Sequence, residues 1–174
     1  MRDVGLLATR TVVGGYLAVH GSQKLFGSFG GPGLNATAAG FERLGMRPAR
    51  VMAALASVGE LGGGVLTATG LADPLGPLAI AGAMSVATAV HRKQGPLAQR
   101  GGFELPLTNL ALAIGLMSSG PGHLALGPPL PRSMTRVSVL AAVGITAVSL
   151  AQVLRAKPPT AARTTEESAA AGTR

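Results

Sequence analysis

The sequence predicts an all-α membrane protein: a four-helix transmembrane bundle followed by a fifth, C-terminal transmembrane helix. The chain of 174 residues is 47% hydrophobic and 13% charged, with a mean hydropathy of +0.41. Soluble domains carry about 25% charged residues. Glycine and proline, with 26 and 12 residues, are also frequent in membrane helices. Five segments of the chain are apolar enough to be candidate membrane spans.

The five segments cover 4–26, 51–72, 74–90, 105–119 and 137–154. A turn at Asp73 and Pro74 makes the second and third antiparallel neighbours, and Pro74 suits the first turn of a helix. In the first loop, a short interfacial helix is expected around 37–45, with Phe41 and Leu44 on its apolar side.

The segments divide the chain into three parts. Residues 1–127 form the four-helix bundle, and 128–154 form a linker and the extra transmembrane helix. Residues 155–174 lack a periodic apolar face and are predicted to be a disordered cytoplasmic tail.

The basic residues indicate the orientation in the membrane. If all five segments span, the loops 27–50 and 91–104 and the tail share one side and contain most of the Lys and Arg residues. The other side contains only Arg2, Arg132 and Arg136. Because cytoplasmic loops are enriched in Lys and Arg, we expect the N-terminus outside and the C-terminal tail in the cytoplasm.

Composition and motifs exclude several function classes. The chain has no cysteine, which rules out thiol catalysis, disulfides and Cys-based metal or iron–sulfur sites. Its net charge is +8, but five aromatic residues (four Phe, one Tyr) in dispersed positions are too few for base stacking, so no nucleic-acid partner is expected. HExxH, Walker-type, GxGxxG and GxSxG patterns do not occur, and no metal site is predicted.

Glu60 lies near the middle of the second apolar segment. A carboxylate at such a depth costs several kcal/mol unless it is paired or protonated, so it marks a functional-site hypothesis. Measured from the starts of the two segments, Arg10 and Glu60 differ in depth by about 7 Å. An intramembrane ion pair or proton relay of Arg10 and Glu60 is therefore predicted. The alternative is a purely architectural pair, which the spacing of Gly59 and Gly63 also favours.

Four further polar residues are expected to converge at the cytoplasmic mouth of the bundle as a ligand-binding site: His20, Lys24, His91 and Glu104. Each also has a simpler explanation. Lys24 can extend to the interface, His91 can be solvated at a helix end, and Glu104 can interact with the helix dipole. Bis-His haem ligation by His20 and His91 is disfavoured, because His91 lies at the very end of its helix.

The same residues make the chain resemble the DoxX family of small bacterial membrane proteins. The resemblance covers about residues 5–127. Its elements are Arg10…His20-Gly21-x-x-Lys24-Leu25-Phe26-Gly27, Thr37-Ala38…Phe41…Leu44-Gly45…Pro48, Glu60-x-Gly62-Gly63…Leu66…Gly70…Pro74, His91…Gly95…Gly101-Gly102-Phe103-Glu104 and Gly120-Pro121-Gly122. Ala125-Leu126-Gly127 replaces the family's Ser-Leu-Asp-like stretch, so no functional Asp is assigned there.

The resemblance implies a four-helix bundle in the bacterial plasma membrane, and some members of that family take part in respiratory or oxidative-stress chemistry. We therefore expect a membrane component of a redox assembly, with the lipid bilayer and redox-enzyme subunits as partners. Its polar site would bind a quinone headgroup or a small anion. The chain itself encodes no redox group.

Two alternatives come from other function classes. A small transporter would use Glu60 as a proton relay and, in so short a chain, would require a homo-oligomer. A scaffold or assembly factor would need no catalysis.

Overall fold

The computed structural model describes residues 1–156, which form helices and turns without a strand. The all-α class is therefore confirmed for this part of the chain. Six α-helices follow one another: α1 Arg2–Phe26, α2 Gly33–Arg43, α3 Ala49–Thr69, α4 Leu75–His91, α5 Glu104–Ser119 and α6 Arg132–Arg155.

Five of these helices correspond to the predicted apolar segments, and α2 corresponds to the helix expected in the first loop. Helices α3 and α6 are each long and apolar enough to cross a membrane. Helices α4 and α5 have 17 and 16 residues, fewer than the roughly 20 of a typical span. Of the predicted tail, only Arg155, the last residue of α6, and Ala156 lie within the described residues.

Glycines allow α1 and α3 to pack closely. Gly14 of α1 lies against Gly64 and Ala68 of α3, and Gly21 lies against Ser57. A side chain at either α1 glycine would overlap the backbone of α3. The two helices are therefore antiparallel, and their register is fixed by backbone contact.

Helices α3 and α4 form an antiparallel hairpin of the same kind. Gly70 ends α3 in the left-handed conformation, with φ 71°, which glycine adopts without the cost of a Cβ clash. Further along the hairpin, Gly76 lies against Thr67 and Gly63 lies against Ala79. These contacts fix the relative heights of residues on the two helices.

Helix α4 lies at the centre of the bundle and packs against α3, α5 and α6. The buried core joins α1, α4 and α5 and consists of Val13, Leu17, Ile80, Met84 and Ala113. Helix α6 packs on α4 from a different side, where it leaves space beside α3.

Both ends of α6 are tied to the bundle. Before the helix begins, the Leu130 N–H donates to the Asp73 carbonyl at 2.7 Å. Near its last turn, the Gln152 side chain accepts from the Arg47 N–H at 2.9 Å and donates to the Arg47 carbonyl at 3.0 Å. The loops 27–48 and 92–103 lie at this second end, called the basic end below. Met1 and the segments 70–74 and 120–131 lie at the opposite end, called the N-terminal end.

Candidate ligand-binding groove

A groove of about 540 Å³ runs along α4 between α3 and α6. It is open because α3 and α6 each pack on α4 but make little contact with each other. Its walls are mostly apolar and include Leu55, Ala56, Gly59, Leu78, Ala79, Gly82, Ala83, Val86, Ala141, Ala142 and Ile145. At the basic end it is bordered by Phe41, Leu44 and Met46, from α2 and the turn that follows.

A partly buried ion pair between Lys24 and Glu60 forms the polar part of one wall. Lys24 Nζ lies 2.6 Å from Glu60 Oε1 and 2.7 Å from Oε2, so it donates to both carboxylate oxygens. The side chain of Glu60 is 5% exposed and that of Lys24 is 30% exposed. An ammonium has three N–H donors, and these two bonds leave one for another acceptor. Both residues line the groove.

The structure does not form the expected contact between Arg10 and Glu60. The register of α1 on α3, set by Gly14 and Gly21, places Arg10 at the height of Gly70. That is ten residues, or about 15 Å, from Glu60 along the helix axis. The expected contact required both helices to enter the membrane at the start of their apolar segments. Glycine contacts, which set the actual register, bring Lys24 within about four residues, or roughly 6 Å, of Glu60 along the axis.

Arg10 instead anchors a loop at the N-terminal end. Its side chain is buried; Nη1 donates to the Pro121 carbonyl at 2.7 Å and Nη2 donates to the Leu124 carbonyl. Arg10 Nε and Thr67 Oγ1 have no hydrogen-bond partner among residues 1–156. Both residues border a cavity of about 10 Å³, which Asp73 also lines. The guanidinium therefore ties the loop after α5 to α1. Arg10 does not line the groove.

Two carboxylates at this end have pKa values shifted in opposite directions. Hydrogen bonds from the backbone N–H and the ring of His123 hold the pKa of Asp3, just before the first predicted span, below its usual value. Burial raises the pKa of Asp73 in the α3–α4 turn, although the charge of Arg10 acts against the shift. Both carboxylates belong to the Arg10 end of the molecule.

His91 borders the groove at the basic end. Its Nδ1 lies 2.7 Å from the Gly101 carbonyl oxygen. Since a carbonyl only accepts, Nδ1 carries the proton, and Nε2 of the neutral ring is then an acceptor. Because Gly63 lies against Ala79 in the antiparallel α3–α4 hairpin, Glu60 lies at the height of Gly82. His91 follows Gly82 by nine residues on α4, which is about 13 Å along the axis. His91 is therefore a separate polar group of the groove, closer to the basic end than the Lys24–Glu60 pair.

The other two predicted ligand-binding residues are not brought to the groove. His20 is exposed on α1 and lies outside the groove lining. Glu104, in the first turn of α5, accepts a hydrogen bond from the Ala98 N–H at 2.9 Å and so stabilises the loop between α4 and α5. Of the four residues expected at one mouth, only Lys24 and His91 line the groove.

Sequence reasoning missed Thr146 and Gly82, which face each other across the α4–α6 contact and both line the groove. A hydroxyl on an apolar helix carries little signal of its own. The Lys24–Glu60 contact could have been found, because Lys24 continues the buried face of α1 that contains Leu17 and Gly21.

The DoxX family model matches residues 5–92, which is 88 of 174 residues and runs from the first turn of α1 to just past the end of α4. Lys24, Glu60 and His91 all lie within the match, whereas α5 and α6 follow it. No curated protein and no solved structure matches the chain. With half of its length matched by the family model, the chain belongs to the DoxX family of membrane proteins.

Proposed function

We propose that this protein is a multi-pass component of the bacterial plasma membrane that binds a quinone headgroup beside Lys24 and Glu60, within a redox or oxidative-stress assembly. One observation carries the proposal: a charged pair with an unused donor is set into the wall of a long, mostly apolar groove. Small-molecule sites combine predominantly apolar walls with a few placed polar groups, as this groove does.

The shape and chemistry of the groove suit an amphiphile dissolved in the bilayer. The groove opens between two helices, α3 and α6, that are long and apolar enough to cross the membrane. An apolar tail can lie along α4, while a carbonyl oxygen of the headgroup accepts the third N–H of Lys24. Charge on the ammonium makes this a stronger bond than one between neutral groups.

His91 adds a titratable group at the basic end of the same groove. The bond of its Nδ1 to the Gly101 carbonyl leaves Nε2 available as an acceptor. The chain contains no cysteine and therefore provides no metal thiolate or disulfide as a redox centre of its own. Electrons would therefore pass through partner subunits, and this chain would supply the membrane site.

The proposal includes a membrane arrangement. Helices α1, α3, α4, α5 and α6 each cross the bilayer, the four-plus-one count expected from the sequence. The basic end, with Lys93 and Arg100 in its α4–α5 loop, lies in the cytoplasm and Met1 lies outside. Protease accessibility in oriented vesicles tests this arrangement through cleavage sites placed in the two ends.

Equilibrium binding of short-chain benzoquinone and naphthoquinone to the full chain in lipid nanodiscs tests the function. The double variant Lys24→Met/Glu60→Gln keeps the site neutral and similar in size, and it should weaken binding at least ~10-fold, as expected for loss of a charge-assisted hydrogen bond. His20→Ala, on the exposed face of α1, is the matched control and should bind as the wild type does. Equal affinity in the double variant and the wild type would contradict the proposal.

A further inference from the structure

Thr146 is a hydroxyl-bearing residue of α6 beside the groove. The residue lines the groove and is partly exposed. Its Oγ1 has no hydrogen-bond partner among the described residues, whereas Ser149, one turn further, donates to the Ile145 carbonyl at 2.8 Å. A hydroxyl with an unused donor in a mostly apolar wall is available to a ligand.

The position of Gly82 brings this hydroxyl close to α4. A Cβ on Gly82 would lie 2.8 Å from Thr146 Oγ1, closer than packed atoms approach each other. A methyl group at this point would therefore force the Thr146 side chain to move. The contact also fixes the height of Thr146: it lies opposite Gly82.

Glu60 lies at the same height on the other wall. In the α3–α4 hairpin, Gly63 lies against Ala79 and the helices are antiparallel. Three residues back along α3 is Glu60, and three residues on along α4 is Gly82. The Lys24–Glu60 pair and the Thr146 hydroxyl thus face the groove from opposite walls at one level.

We propose that Thr146 is the second recognition group of this site and that the ligand is a flat ring with two carbonyl oxygens on opposite sides. One oxygen would accept the third N–H of Lys24, and the other would accept the Thr146 O–H. The inference rests on the proposed function but adds to it, since it assigns the second carbonyl oxygen to Thr146 and gives a role to α6, which lies outside the residues matched by the family model.

The charges of the Lys24–Glu60 pair favour a neutral ligand with two hydrogen-bond acceptors. Lys24 and Glu60 already neutralise each other, so the site offers donors without a net charge. A carboxylate or phosphate would bring an uncompensated charge into a mostly apolar groove, at a high desolvation cost. A dione supplies two acceptors and no charge.

Two probes separate recognition of one carbonyl from recognition of two. A 1,4-naphthoquinone has both acceptors, and 1-tetralone has a similar fused ring with one. Binding of each is measured for the full chain in nanodiscs, for the wild type, Thr146→Val and Thr146→Ser. Thr108→Val, on an exposed part of α5, is the control for the same substitution outside the groove. Circular dichroism verifies that each variant keeps its helix content.

Thr146→Val should weaken naphthoquinone binding about 3- to 10-fold, the effect of one lost hydrogen bond, and should leave tetralone binding unchanged. Thr146→Ser should restore most of the affinity because it keeps the hydroxyl. Equal losses for both probes, or no loss for either, would overturn the role of Thr146 while the Lys24 and Glu60 result stands. If the wild type binds neither probe, the proposed function fails and this inference fails with it.

Discussion

Arg10 and Lys24 both lie on α1 and both place a cation among apolar helices, yet their surroundings differ. The guanidinium of Arg10 donates to the fixed backbone carbonyls of Pro121 and Leu124 and is 2% exposed. The ammonium of Lys24 donates to one side chain, Glu60, and faces a groove. The difference separates a cation enclosed by loop carbonyls from one whose remaining donor is accessible from a groove.

Removal of Lys24 should cause the largest loss of stability. Lys24→Met leaves the buried Glu60 carboxylate without its partner. Breaking a fully buried pair from one side costs roughly 3–5 kcal/mol, and the 30% exposure of Lys24 places this pair toward the lower end. Thermal unfolding in detergent, followed by circular dichroism, measures the change. Addition of Glu60→Gln in the same chain should recover most of the stability, since the uncompensated charge is gone.

The distinction drawn between Lys24 and Arg10 would be wrong if the double variant did not recover stability. A double variant as unstable as Lys24→Met alone would mean that the pair holds the helices together through more than its charge. Lys24 would then be architectural, as Arg10 is.

Arg10→Leu should have the next largest effect, about 2–3 kcal/mol, because two loop carbonyls lose charge-assisted hydrogen bonds. Quinone binding per folded molecule should not change, since the groove is remote. Arg2→Ala is the matched control: Arg2 also donates to a backbone carbonyl, that of Ser119, but it is exposed. A stable Arg10→Leu variant with impaired binding would reverse the assignment of the two cations.

Gly82→Ala should change affinity more than stability. The new methyl group would displace the Thr146 hydroxyl, so naphthoquinone binding should fall by about as much as in Thr146→Val. The gain in helix propensity, about 1 kcal/mol, offsets much of the cost of crowding. Gly144→Ala, where a methyl group meets nothing within 4 Å, is the control on α6. Unchanged affinity in Gly82→Ala would show that the α4–α6 contact does not shape the site.

The smallest effect should come from Asp3, which pairs with His123 at the exposed N-terminal end. The folded-state pKa of Asp3 is lowered, so its contribution to stability is present above the ordinary value of 3.8 and is lost as pH falls through the folded pKa. The melting temperatures of wild type and Asp3→Asn should therefore differ slightly at pH 6 and converge below pH 3.8. A gap that widens on acidification would contradict the assignment.

The sequence was sufficient to place the helices because each apolar segment ends at glycine, proline or charged residues. The segment predicted at 51–72 corresponds to Ala49–Thr69, and that at 105–119 corresponds to Glu104–Ser119. The fifth segment was predicted five residues too short at its start, since Arg132 and Arg136 interrupt its hydropathy but not the helix. Hydropathy thus identified the helices but placed the start of α6 too late, because that end of the helix is charged.

The site was harder to predict, because it depends on which helix faces meet and at what height. Depth from a segment's start suggested Arg10 as the partner of Glu60, but the glycine contacts of α1 and α3 shift the helices so that Lys24 is the neighbour. Small-residue faces, such as Gly14 and Gly21, were visible in the sequence and carry that register. No pattern in α6 pointed to Thr146, whose importance depends on its contact with Gly82.

Native mass spectrometry of the protein purified gently from its own membrane tests the central claim most directly. The wild type should retain a quinone, and the Lys24→Met/Glu60→Gln variant should have lost it while the Arg2→Ala control keeps it. Absence of quinone from the wild type, or equal retention by the double variant, would contradict the claim that Lys24 and Glu60 form a ligand site.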